Sequence, residues 1–556
     1  MRLRGFVYAL IFLLFIVYLM TQDTAHHDAS RSDAIQKTQT QEETPAEANR
    51  LGNGAAKVDQ AYDSNLQQDP KKSIRKGFFW IGIASTLSQI LSATTMLILM
   101  IFLTKDELGI ATIAVATGVI FEAFNALGTG QAFLQAKQLT QNETHSVFWF
   151  SAGFGIVTYL AFMPMAWILE SVYKIPMLAP MILVMMLKMP IASIASVPLQ
   201  LINRRFEYQK ISIYQTVTSL GCSVIKIGLA IAGCGAWSLV IGESSYVLGM
   251  IGFAFYFSKY RPALHFSWQE CKHFVTYGIK CSLSNALDQV TKNIHYLVVG
   301  KFLGEGFLGI YRIAYELAMT PALALFNVVA RSSFPVFARL QDNRCELSSL
   351  FAWNQRNLAL FAAIPSLAIF FCAPDIFGLF PNPDWLATVP IIPFVLAISF
   401  VKTQLQTYPD LYRACGKPEW PIRFQLIEAG GVFILGSACL NYIPEQYSLY
   451  AMMLIWLILL TSFAVPHRIL ASNFIDITMR SIAKSLSHSF LFILFTIALS
   501  TLPYIYRDML PFSEITHICI ETVIIIVALW AYTRFVLKVS LSDFIKRRRQ
   551  QGASAV

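Results

Sequence analysis

From residue 78 to residue 537 the chain alternates long apolar blocks with short polar breaks, and this alternation limits its fold more than any other feature. The blocks lie near 78–103, 108–131, 147–169, 178–201, 211–232, 236–257, 274–300, 305–331, 356–373, 389–412, 421–440, 447–466, 485–504 and 515–537. Each is long enough to cross a hydrocarbon layer as a helix, since about 20 residues span ~30 Å. The breaks hold helix-stopping or strongly polar residues: Lys105-Asp106-Glu107, Gly233-Cys234-Gly235, Pro381-Asn382-Pro383, Asn441 to Gln446, and Arg507-Asp508. In lipid, a helix satisfies all its backbone polar groups within the segment. The expectation is an all-α polytopic membrane protein with about 14 transmembrane helices. Composition agrees: 55% of the 556 residues are hydrophobic and 14% are charged, against roughly 25% charged in soluble domains. No polar stretch after residue 76 is long enough to form a soluble enzyme module.

Charge gives the orientation. One set of alternate loops carries Lys71, Lys72, Arg75, Lys76, Lys137, Arg204, Arg205, Lys210, Lys259, Arg261, Lys272, Arg339, Arg344, Arg413, Lys417, Arg423, Arg468, Arg480, Lys484, Lys538 and Lys546 to Arg549. The other set carries Lys105, Lys174, Lys301 and Arg507. That is a bias of about six to one, and basic loops stay cytoplasmic. Both ends of the helical core are therefore expected inside. The net charge of +10 comes from these loops, so no nucleic-acid partner is expected. The longest outer loop, about 374–388, has no room for a catalytic domain. The nine cysteines form no C-x-x-C or Cys/His cluster, so neither a metal site nor a disulfide framework is expected. His265, His273 and His517 stand alone in sequence, and His26-His27 lies in polar sequence.

Residues 1–20 form a separate apolar N-terminal segment, short for a span and sized like a signal core. Residues 21–76 form a polar tail with no apolar period, expected to be disordered. Three readings of 1–20 stand: an extra helix that places the tail outside, an interfacial segment, or an over-extended start with Met20 as the first residue.

An internal repeat emerges at a separation of 200 residues. Phe102-Leu103, Leu108-Gly109-Ile110 and Ile113-Ala114 match Phe302-Leu303, Leu308-Gly309-Ile310 and Ile313-Ala314, and Gln89 matches Gln289. Six blocks separate the copies, so both have the same orientation, and the axis relating them runs along the membrane normal. The expected organisation is an N-terminal lobe (77–258, blocks one to six), a C-terminal lobe (259–470, blocks seven to twelve), two further helices (471–540) and a basic tail (541–556).

Ionisable groups inside these blocks mark the candidate site, because each costs about 2.5–3.5 kcal/mol at mid-membrane on insertion scales. Asn285, Asp288, Lys292 and His295 fall on one helical face of the seventh block, flanked by Gln289, with Lys280 nearer the inner end. Ser85, Ser88, Ser92 and Thr95 occupy the same face of the first block. Glu122, Asn125 and Thr129 follow in the second, Arg312 and Glu316 in the eighth, and Lys402, Gln404 and Gln406 in the tenth. One reading is a shared central cavity. The plainer one is ion pairs closed within a helix, Asp288 with Lys292 and Arg312 with Glu316. Lys188 and Lys226 read more readily as packed, snorkelling side chains.

Several stretches resemble a known family. Asn203-Arg204-Arg205-Phe206-Glu207-Tyr208-Gln209-Lys210, Gly235-Ala236-Trp237-Ser238-Leu239-Val240-Ile241-Gly242, Val299-Gly300-Lys301-Phe302-Leu303-Gly304 with Leu308-Gly309-Ile310-Tyr311, Phe334-Pro335-Val336-Phe337-Ala338-Arg339-Leu340-Gln341, and Ala414-Cys415-Gly416-Lys417-Pro418 carry it. They are similar to the polysaccharide flippase family of the MATE/oligosaccharidyl-lipid exporter superfamily, in its Wzx C-like branch. The match covers about 72–470. His295 departs from the Asp common at its position in that branch. The resemblance implies a two-lobed, V-shaped bundle that moves an undecaprenyl-diphosphate-linked oligosaccharide across the bacterial inner membrane, with ion coupling usual and no cofactor. It implies membrane lipids as surroundings, and a polysaccharide polymerase and a chain-length regulator as partners. On this expectation Lys292, Arg312, Lys280, Lys402, Asn285 and Gln289 bind substrate, while Asp288, Glu122, Glu316 and His295 serve ion coupling. The rivals are a drug/cation antiporter of the same superfamily, which should prefer an anionic cavity, and a membrane-embedded glycan ligase or transferase, which needs a base and a larger outer loop.

Overall fold

The computed structural model describes residues 70–475 apart from 126–138, 206, 342 and 418. Segment 1–20, most of the 21–76 tail, the expected helices at 485–504 and 515–537, and the basic tail 541–556 lie outside the described residues. Every regular element among the described residues is helical. In order they are α1 (Pro70–Phe102), α2 (Lys105–Asn125), α3 (Gln141–Tyr173), α4 (Leu178–Met186), α5 (Lys188–Arg204), α6 (Tyr208–Ile231) and α7 (Ala236–Ser258). They continue with α8 (Trp268–Arg339), α9 (Arg344–Gly378), a short 3-10 turn (Pro383–Thr388), α10 (Ile392–Leu405), α11 (Thr407–Ala414), α12 (Glu419–Tyr442) and α13 (Glu445–Ala471). Six stretches among these are long and apolar enough by themselves to cross a membrane, including Lys105–Asn125, Leu178–Arg204 and Tyr447–Ala471. The protein is an all-α, multi-pass membrane protein.

Local chemistry sets the helix ends. Thr104 and Glu107 form reciprocal bonds before α2: Thr104 N donates to Glu107 Oε2 at 2.9 Å, and Glu107 N donates to Thr104 Oγ1 at 3.3 Å. Thr140 and Glu143 repeat that box at the start of α3. The expected seventh and eighth blocks run together as α8, which bends at Gly304, whose φ of 81° and ψ of 176° suit glycine. The expected fourth and tenth blocks are each broken, between α4 and α5 at Leu187 and between α10 and α11 at Gln406.

The repeat is visible in the packing. A Cβ on Gly109 would stand 1.9 Å from the Glu305 carbonyl oxygen, and one on Gly309 would stand 2.0 Å from that of Lys105. Each residue in this reciprocal pair is 200 positions from its mate, so α2 and the second half of α8 cross at a local two-fold axis. The crossing is tight enough to exclude any side chain. Around it Leu103, Leu108 and Ile113 share one buried cluster with Leu303, Leu308 and Ile313. This shared core lies toward the end that the charge bias places outside. Smaller clusters at the other end stay largely within one repeat, around Ile202, Ile211 and Tyr214 in the first and around Phe337, Phe351 and Tyr412 in the second.

The segment joining α7 to α8 is tied to the start of α3. His145 Nδ1 lies 2.8 Å from the Tyr260 hydroxyl, Trp149 Nε1 donates to the Ala263 carbonyl at 2.8 Å, and Ser146 Oγ donates to Glu270 Oε2 at 2.7 Å. His265, solitary in sequence, places Nε2 3.1 Å from Glu270 Oε2. Burial holds the Tyr260 phenol well above its ordinary range.

Candidate functional site

The interior charges form two groups. The first joins the repeats. Glu243 of α7 accepts from Lys226 of α6 in a close ion pair and lies 4.0 Å from Lys188 of α5. Glu122 of α2 lies within electrostatic range of Lys188 and Glu243. Arg312 of α8 donates to Glu316 Oε1 at 3.0 Å and to Thr112 Oγ1 at 3.1 Å, and lies within electrostatic range of Glu243. Thr112 and Arg312 are again repeat mates. Arg312 therefore bridges the two halves of the molecule at their axis.

The second group belongs to the second repeat. Lys292 Nζ is 2.5 Å from Asp288 Oδ2, and Asp288 Oδ1 accepts from Gln425 Nε2 of α12 at 3.3 Å. Lys402 of α10 is 3.1 Å from Glu428 of α12 and lies over the Trp456 ring at 5.2 Å. Exposure separates these pairs. The Lys292 and Asp288 side chains are 41% and 38% exposed, whereas those of Lys402 and Glu428 are 10% and 13%. An open pair gains under about 1 kcal/mol and can exchange partners. A buried pair stripped of one member leaves a charge that costs about 3–5 kcal/mol.

His295 stands apart from its expected neighbours. It is fully buried, 3.0 Å from the Tyr311 hydroxyl and enclosed by the rings of Tyr296, Tyr315 and Trp456. Gln289 is half-buried. Lys280 and Asn285 lie on α8 with their side chains outside the described set. Asn125 bonds the Met189 carbonyl and Ser193 Oγ of α5 and accepts from Thr158 of α3, a packing role.

Both pairings expected within a single helix are present, Asp288 with Lys292 and Arg312 with Glu316. Glu243 and Glu428 were missed. Each is the only acid in its block, Glu243 beside Ser244 and Ser245 and Glu428 three residues after Gln425; a plain inventory of ionisable residues in the blocks would have found both. Among the described residues, Lys188, Lys226, Lys292, Arg312 and Lys402 lie with Glu122, Glu243, Asp288, Glu316 and Glu428.

The family described as "Polysaccharide biosynthesis protein" matches residues 98–390, which include the reciprocal α2–α8 crossing. The chain belongs to that family. The chain is 21% identical over 358 residues to the lipopolysaccharide biosynthesis protein WzxC of Escherichia coli (strain K12), covering 63% of this chain and 72% of WzxC. It is 23% identical over 354 residues to the teichuronic acid biosynthesis protein TuaB of Bacillus subtilis (strain 168), covering 63% and 72%. It is 22% identical over 360 residues to the succinoglycan biosynthesis transport protein ExoT of Rhizobium meliloti (strain 1021), covering 62% and 70%. Its fold is similar to that of the lipid II flippase MurJ in an inward closed conformation, with TM-score 0.61, 14% identity, and 82% of this chain and 99% of MurJ covered. It is similar also to an inward-facing multidrug resistance MATE family transporter of the MOP superfamily, with TM-score 0.55, 13% identity, and 71% and 98% covered.

Proposed function

We propose that this protein moves a polyprenyl-diphosphate-linked oligosaccharide from the inner to the outer leaflet of a bacterial inner membrane by alternating access of two lobes, 77–258 and 259–470. The observation that carries the reading is the set of paired ionisable residues inside apolar helices, one group at the axis between the repeats and one within the second repeat. A diphosphate and its sugars are as costly in hydrocarbon as these side chains are. A polar interior between lobes accommodates them while the polyprenyl tail stays in lipid. The relatives named for polysaccharide biosynthesis and transport, and the fold shared with a flippase, support it.

Within that reading the pairs divide the work. Lys292 is held loosely enough for a phosphate to replace Asp288, since a phosphate accepts the same charge-assisted bond as the carboxylate and a diphosphate carries more negative charge. The freed Asp288 is then a natural proton or cation acceptor, which couples substrate entry to an ion. Arg312 senses both repeats and the cargo. Lys402, buried against Glu428 and Trp456, sets structure. Lys280, Asn285 and Gln289, on the same helix as Lys292, complete the substrate-binding set; Glu122 and Glu316, with His295 inside its aromatic rings, complete the ion-coupling set. A polymerase and a chain-length regulator receive the product outside. No enzymatic step is proposed.

The test is mutational. Lys292→Ala and Arg312→Ala should each abolish surface glycan at normal membrane levels, and Lys292→Arg should retain part of it. Asp288→Ala with Lys292→Ala should remain defective. Near-wild-type glycan in that double variant would reduce the pair to a structural neutralisation. One observation favours a drug/cation antiporter instead: Lys226, Lys292, Arg312 and Lys402 each have a carboxylate partner, so carboxylates as well as cations lie in the interior. Drug-efflux assays in the same strains decide, and an unchanged drug susceptibility is expected.

A further inference from the structure

At the outer end the two repeats hold each other through a reciprocal pair of clasps. The end of the third helix of the first repeat, and the turn after the third helix of the second, reach across to the other repeat. From the second repeat, Trp385 of the 383–388 turn is fully buried in the shared core, and its Nε1–H donates to the Met100 carbonyl at 2.9 Å. Beside it Asp384 Oδ2 lies 3.2 Å from Lys105 Nζ. From the first repeat, the Tyr173 hydroxyl donates to the Leu297 carbonyl at 2.9 Å, and the Val172 carbonyl accepts from Lys301 Nζ. Two of these acceptors have a common origin. Met100 and Val172 lie in the last turns of α1 and α3, where carbonyls have no intrahelical partner. Each is satisfied by a donor side chain from the opposite lobe, so parting the lobes here leaves helix-end carbonyls bare. Asn382 Oδ1 accepts from Asp384 N at 3.0 Å and shapes the turn that presents Asp384 and Trp385.

We propose that these clasps are the latch of the outer gate, and that the Trp385–Met100 bond with the Asp384–Lys105 pair governs how often the outer end opens. The inference rests on alternating access. The two clasps differ in depth: Trp385 is sunk in the core, whereas Val172 and Lys301 are exposed. The Trp385 clasp is therefore the one whose release opens the shared core.

The experiment uses the full chain in a cysteine-free background, with Leu103→Cys, buried in the shared core, as reporter. A membrane-impermeant maleimide is applied to intact cells from outside. Trp385→Phe, which loses the N–H and part of the buried indole, should raise the labelling rate by about fivefold or more, one lost hydrogen bond supplying the fivefold. Asp384→Lys should raise it as well, and Asp384→Lys with Lys105→Asp should return it toward the parent rate, showing that the variants fold. In a separate chain, Lys105→Cys and Asp384→Cys bridged by a short, reducible bis-thiol reagent should stop glycan export, and reductant should restore it. Unchanged labelling in both single variants, or export at the unbridged rate in the bridged protein, would overturn the latch. Labelling needs no substrate, so if the parent exports no glycan while labelling still follows the series, the flippase reading has failed and the latch stands.

Discussion

Lys402 and Lys292 are both lysines in apolar helices, each beside a carboxylate, yet they should respond differently to removal. Lys402→Ala strands Glu428 at 13% exposure, and the stranded charge should cost about 3–5 kcal/mol. Detergent-solubilised Lys402→Ala should melt well below the parent, and Lys402→Met with Glu428→Leu should recover most of the loss, since an apolar pair needs no desolvation. Lys292→Ala should shift the melting temperature little, because its pair is about 40% exposed on each side. Melting curves of the three variants check this, and a large loss in Lys292→Ala would place that pair in the structural class. Sequence spacing placed Asp288 four residues before Lys292 and predicted their bond. It was silent on Glu428, because a partner on another helix has no periodicity relative to the lysine.

Among the elements, the crossing of α2 with the second half of α8 carries the largest demand on sequence. Gly109 and Gly309 each meet the backbone of the opposite repeat at about 2 Å from where a Cβ would stand. Gly109→Ala and Gly309→Ala should each lose at least 1–3 kcal/mol by overpacking, whereas Gly82→Ala and Gly153→Ala, with open space at the Cβ, should be tolerated. Thermal melts of the four variants test it; a tolerated Gly309→Ala would mean the lobes separate at this crossing. The two glycines were legible in sequence as part of the repeat. That they pack against each other's repeat, rather than each within its own, follows only from the local two-fold axis.

For the whole molecule, the charge bias makes a testable map. Cysteines replacing Lys137, Arg205, Lys272 and Arg344 should label from the cytoplasmic side, and those replacing Lys174 and Pro383 from outside. One reversal would break the order of spans. Deleting residues 1–70 should leave insertion and export intact, because Lys71, Lys72, Arg75 and Lys76 still anchor the first helix inside; failed insertion of that truncation would make the first apolar segment a topogenic helix.

Helix type and the repeat were readable in the sequence, because lipid forces each apolar block into a helix and alternating charge orders the blocks; helix number was not, since two blocks run together in α8 and two others break at Leu187 and Gln406. Which charges pair across helices was decided only in three dimensions. Lys226 meets Glu243 across two helices and Lys402 meets Glu428 across 26 residues, contacts set by packing angle and depth rather than by spacing. The same holds for His295: spacing put it on a polar face, but the folded helices enclose it in aromatic rings. A helical wheel shows which way a side chain points, and only the neighbouring helices determine what it meets there.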